Sequence, residues 1–107
     1  MVPVNVVVVA GRVAAEPVER SLPSGQKLTE FRVAVDSEGR RELPLPVVVW
    51  HGQGEMISPP ELERDDPVLV CGRLVRRFYR SGAGARSLTE VVAKSVRKLE
   101  PREPVPA

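Results

Sequence analysis

The sequence predicts an all-β domain closed into a small barrel, and three observations predict it. Valine is the commonest residue, 20 of 107 positions, and β-branched side chains fit the pleated surface of a strand better than they fit a helix. Five apolar runs recur along the chain, separated by clusters of Gly, Pro and Ser, the punctuation of short strands. Two of those runs contain an internal glycine, Gly11 and Gly72, where a strand bends or bulges to serve two parts of a curving sheet. Closure of that sheet removes exposed edges without needing a large core, which suits one domain of this length.

The first run, Val4 to about Ala14, is nearly continuous in apolar residues, as expected of a long strand bent at Gly11. Residues 22–27, LPSGQK, turn the chain. From Lys27 to Asp36, Phe31, Val33 and Val35 alternate with Glu30, Arg32 and the small Ala34, which puts one face inward and one outward. DSEGRR at 36–41 makes a hairpin connection, and the third strand, PVVVWH, begins only after Pro44 and Pro46, which cannot donate to a ladder. The segment GQGEMISPPELERDDP reads as a loop with at most one helical turn at PPELER. Val68 to about Arg80 forms the fourth strand, SGAG at 81–84 turns it, and Ser87 to Leu99 forms the fifth. Five strands with bending glycines in the first and fourth predict the OB-fold barrel with extended hairpins; a seven-stranded sandwich needs more strands than the chain supplies. The barrel is expected over residues 1–99 and a disordered proline-rich tail over 100–107.

Composition removes several classes of function. No apolar run approaches the roughly 18 to 20 residues that cross a bilayer, and the N-terminus lacks the pattern of a signal peptide. The cytoplasm is the expected compartment, and the single cysteine, Cys71, suits its reducing conditions. The acids Glu61, Glu63, Asp65 and Asp66 lack calcium-loop spacing, and AGR at 10–12 and SGAGAR at 81–86 lack the ending and context of phosphate-cradling loops. His51 has no partner acid in the pattern, and Cys71 falls inside a strand, so no nucleophilic constellation appears. Neither an enzyme nor a bound cofactor or metal is expected.

Charge is unevenly placed. The net charge is only +2, yet residues 36–66 carry a local −5, while residues 67–89 hold Arg73, Arg76, Arg77, Arg80 and Arg86 with no acid. In an extended strand Arg73, Val75, Arg77 and Tyr79 share one face, and Leu74, Arg76 and Phe78 the other. Two guanidinium groups and an aromatic on one face suit single-stranded nucleic acid, whose phosphates meet cations and whose bases stack on flat rings. The competing reading is a solvated strand whose arginines pair with the acidic middle. Trp50 ends the third strand on the face of Val48; by burial energetics alone a lone tryptophan is core or subunit interface.

Taken together, VNVVVVAGRVAAEPVER, LPSGQKLTEFRVAVD, VVVW, PVLVCGRLVRRFY and LTEVVAKSVRKL resemble the bacterial single-stranded DNA-binding protein family over residues 4–99. The motifs fall in the family's order: Gly-Arg closing the first strand, the Glu16–Pro17 step, a small-Gly turn, Phe-x-Val-Ala-Val, Gly-Arg-Leu and Thr-Glu-Val. The resemblance implies an OB-fold, commonly a homotetramer, that binds single-stranded DNA without strong sequence preference in replication, recombination and repair, with no cofactor and no membrane, in a nucleoid-associated location. Carried over by position, Trp50 and Tyr79 are the stacking aromatics. Arg77 and Arg64 fall where the family places basic residues near the DNA, Arg73 joins them by alternation, and Arg12 is a further candidate. Gly39 and Pro44 stand where two more family aromatics are expected, the helix after the third strand is missing, and the chain ends at PVPA without the acidic tip through which typical members recruit repair enzymes. These departures leave a second function open: a primosomal or competence-type paralogue using the barrel mainly to bind protein. An RNA-binding barrel of the cold-shock kind shares the same stacking logic.

Overall fold

The apolar runs become strands whose inward residues are almost all valine. The computed structural model describes residues 2–35, 44–52 and 60–100. Among them are six strands: β1 (Val7–Val13), β2 (Val18–Ser21), β3 (Lys27–Ala34), β4 (Leu45–Trp50), β5 (Pro67–Ser81) and β6 (Gly84–Lys98). They form one sheet in the order β1-β5-β6-β4-β3-β2, and a further pairing of β1 with β3 closes five of them into a ring. All pairs are antiparallel except β4 with β6. This is the OB-fold topology that the sequence predicts, with β2 added on the outer edge of β3.

β1 reaches both neighbours by crossing the ring. Its residues 7–12 pair with β5, and Arg12 and Val13 also pair with Ala34 and Val33 of β3. At the crossing a Cβ on Gly11 would run into the carbonyl oxygen of Ala34, so the bend anticipated there requires glycine. The same holds at Gly72, where a Cβ would meet the carbonyl oxygen of Val92. There the β5–β6 register shifts, from Cys71 opposite Ser95 to Gly72 opposite Ala93, leaving Lys94 as the extra residue of a bulge that bends the pair.

The core inside the ring comprises Val13, Phe31, Val33, Val47, Val49, Val68, Val70, Val91 and Val96, with Leu62 plugging one end from the 60–66 segment. These residues alternate along each strand with outward ones, as a barrel demands. Three details differ from expectation. The four-residue β2, all exposed, carries no inward apolar residue and so gave no periodic signal. Pro46 lies inside β4, opposite Arg32, rather than before it. Val35 is 36% exposed while Ala34 is buried, because β3 ends at Ala34 where β1 crosses over it. Residues 60–66 contain no helix, only a turn at Arg64 and Asp65. The expected hairpin at 36–41, with Gly39, lies outside the described residues, as does the tail beyond residue 100.

β5 and β6 are the long elements, 15 residues each against six to eight for β1, β3 and β4. β1 follows β5 only to Gly72 and β4 follows β6 only at Val91 and Val92. Beyond that point the two strands pair, among the described residues, only with each other to Ser81–Gly84, as a two-stranded arm projecting from the barrel. No helix among the described residues is long and apolar enough to cross a membrane.

Candidate nucleic-acid interface

The alternation of β5 continues into the arm, since the extra residue of the bulge lies on β6, and it decides where each candidate side chain points. Along β5, Val68 and Val70 face the core, so Gly72, Leu74, Arg76 and Phe78 continue the inner side and Arg73, Val75, Arg77 and Tyr79 the outer side. Their partners agree: Arg73 lies opposite Val92, Arg77 opposite Leu88, and Tyr79 opposite Arg86. On β4, Val47 and Val49 are core, which turns Val48 and Trp50 outward, and Val48 pairs with Val92. Trp50, Arg73, Arg77 and Tyr79 therefore share one outer face, brought together from two strands that are 17 or more residues apart in sequence.

Trp50 is half-buried, not a core residue. With Arg73 it lines an open groove of about 540 Å³ whose floor and walls include Val92, Cys71, Asn5 and Lys94. Asn5 was not singled out by the sequence. Its side-chain amide donates to the carbonyl of Leu74 at 2.8 Å and accepts from the Leu74 amide at 2.9 Å, extending the β1–β5 ladder by side chain after the main chain has left it. Tyr79 stands at the far end of the arm, 48% exposed.

Arg77 is held differently. Its Nε lies 3.0 Å from Oε1 of Glu90, a carboxylate only 7% exposed. Glu90 lies between Leu88 and Val92 on the outer side of β6, and Arg77 is the one cation within ion-pair distance of it among the described residues. Arg73, Arg76, Arg80 and Arg86 have no carboxylate partner among the described residues. Among the described residues the basic stretch thus makes no pair with the acids of the middle segment, and its one ion pair there runs to Glu90 of the adjoining strand.

Arg12 and Arg64 belong to another place. Arg12 also faces outward, but it lies opposite Pro67, six positions along β5 from Arg73 and roughly 20 Å away, and its Nη1 is 3.5 Å from Asp65 Oδ1. Arg64 is exposed in the adjacent turn, where its amide donates to Glu16 Oε1 at 3.5 Å. Asp66 pins this turn: its carboxylate accepts from the Glu63 amide at 2.8 Å and meets Lys98 Nζ at 3.2 Å. Those contacts, the Glu63 amide first, hold its pKa below the ordinary value of 3.8. His51 shares a 2.7 Å hydrogen bond with Thr29 Oγ1 and faces away from the groove. Pro44, at the foot of β4, offers no stacking ring to the outer face.

A model of the single-strand binding protein family matches residues 4–99. The chain is 36% identical over 105 residues to a single-stranded DNA-binding protein of Halalkalibacterium halodurans, covering 92% of this chain and 62% of that one. It is 37% identical over 105 residues to single-stranded DNA-binding protein 2 of Staphylococcus aureus, covering 92% and 75%. The chain spans about three fifths of the length of several of these relatives. In fold it is similar to a solved Plasmodium falciparum SSB complex with ssDNA, at a TM-score of 0.74 and 19% identity, covering 94% of this chain and 98% of the other.

Proposed function

The chain belongs to the single-strand binding protein family, and from this we propose that it binds single-stranded DNA without sequence preference, protecting exposed strands in replication, recombination or repair. The observation that carries this reading is the outer face itself, where Trp50 and Arg73 line one groove, Tyr79 follows on the same side of β5 by alternation, and Arg73 and Arg86 have no carboxylate partner among the described residues. Bases stack on the two rings, each worth about 1–3 kcal/mol, and the guanidinium groups follow the phosphates. Arg77 borders this path with its charge already matched by Glu90. Arg12 and Arg64 contact only a strand long enough to run from the groove to the start of β5. The protein acts by binding, with no reaction and no cofactor, in the cytoplasm and associated with the nucleoid.

A homo-oligomer, tetrameric as the family resemblance implies, is part of the same reading. Val2, Val4, Val6 and Val8 are 84, 81, 72 and 63% exposed along the N-terminal edge, an apolar strip that a second copy of the chain would cover.

Titration of fluorescent oligo-dT, read by anisotropy with duplex DNA and oligo-U as competitors, tests the proposal. Tight binding that duplex does not displace, weakened about 5-fold to 100-fold by Trp50→Ala or Tyr79→Ala, is the expected result. Equal competition by duplex, or normal binding by the double variant, overturns it, and preferential displacement by oligo-U reassigns the site to RNA. Light scattering of the free protein tests the oligomer.

A further inference from the structure

The arm has a second face, and it carries an aromatic ring that the first does not use. Phe78 points away from Tyr79, to the inner side of the β5–β6 ribbon, and is 75% exposed. The Arg76 guanidinium lies over its ring, 5.6 Å from the centroid, and is itself steadied by Ser87 Oγ at 3.3 Å. One ring face is thus occupied by a cation and the other is open. Alternation places Arg76, Phe78 and Arg80 on this side, opposite Thr89, Ser87 and Ala85, so the face holds two cations and no acid. A large exposed phenylalanine flanked by arginines with no carboxylate partner among the described residues is poorly suited to bare solvent and complementary to a polyanion with flat apolar bases.

The route to it is open. Among the described residues neither edge of the arm is paired beyond Leu74 and Val91, and its tip, Ser81 to Gly84, consists of small residues; at Gly82 and Gly84 even an added Cβ would meet nothing within 4 Å. A strand stacked on Tyr79 can therefore turn over the tip and reach Phe78, its neighbour in sequence on the opposite side.

Resting on the single-strand reading above, we propose that Phe78, Arg76 and Arg80 form a second stacking site for single-stranded DNA on the reverse face of the arm, engaged only by strands long enough to fold over its tip. Phe78 supplies the platform, Arg76 fixes the ring and meets the phosphate beside the stacked base, and Arg80 meets the next phosphate.

The test compares Phe78→Ala and Phe78→Trp with the wild type, using oligo-dT of about eight nucleotides, within the footprint of one barrel, and a longer one of about forty. Phe78→Ala is expected to leave the short oligonucleotide unaffected and to weaken the long one roughly tenfold, the scale of one stacked base, while Phe78→Trp retains both affinities. Mass by light scattering should be unchanged in both variants. Equal affinity of wild type and Phe78→Ala for the long strand overturns this inference alone. So does an equal loss for both lengths, or a changed mass, which would make the face a contact between copies. Failure of the wild type to bind either strand overturns the single-strand reading and this site with it.

Discussion

Glu90 neutralises Arg77 across the hairpin at 3.0 Å, so one of the five arginines of the basic stretch is spoken for before any ligand arrives. Glu90→Gln keeps the shape and removes the charge. We expect tighter binding of oligo-dT and a log-affinity against log-salt slope steeper by about 0.7, the value of one added phosphate contact on a single strand; an unchanged slope would show that Arg77 does not reach the DNA even when released. Asp66 is the other residue whose charge is set by its neighbours. Its folded pKa is depressed by the Glu63 amide and then Lys98, so its contribution to stability is fully present above 3.8 and is lost as pH falls from there through the lower folded value. Asp66→Asn should therefore lower the thermal midpoint at neutral pH and narrow the difference from wild type in strong acid, as followed by circular dichroism between pH 2 and 7.

At the scale of elements, the β5–β6 ribbon divides into a part buttressed by β1 and β4 and a part that stands alone. An isolated two-stranded hairpin is marginal in water, so the amides of residues 76–89 should exchange with solvent faster than those of 68–72 and 91–96. Saturating oligo-dT should slow exchange in the arm and change the barrel little; equal protection of both parts in the free protein would contradict this division. The bulge is the joint between the two. Gly72→Ala drives a Cβ into the Val92 carbonyl and should cost about 2–3 kcal/mol, measurable by urea unfolding, whereas Gly82→Ala at the open tip should cost almost nothing.

The whole molecule presents its cations as a set. Four arginines of the arm and groove, Arg73, Arg76, Arg80 and Arg86, have no carboxylate partner among the described residues, and they lie on both faces of one projecting ribbon. If all four neutralise phosphates of one strand, the slope of log affinity against log salt for a long oligonucleotide should be near −3, at about 0.7 per phosphate. A short strand confined to the outer face should show a shallower slope. Salt titrations of both lengths check this directly, and a common slope would mean that only one face is used.

From the amino-acid sequence alone came the all-β class, the barrel, the bends at Gly11 and Gly72 and the two faces of the run that becomes β5, because each depends on local periodicity or on a single residue lacking a side chain. Arg73, Arg77 and Tyr79 were legible as a set for the same reason, since alternation within a strand fixes which side chains share a side, whereas Trp50 became a candidate only through the family resemblance. β2 was not legible: four exposed residues on a sheet edge bury no apolar face and so leave no pattern. Nor was the role of Glu90, whose partnership with Arg77 exists only once the turn at residues 82 and 83 sets the register of β5 against β6. Closure of the ring placed Trp50 of β4 beside Arg73 of β5 across β6, and separated both from Arg12 and Arg64. Distances between strands follow from ladder register and sheet order, which long-range hydrogen bonds decide and local sequence does not.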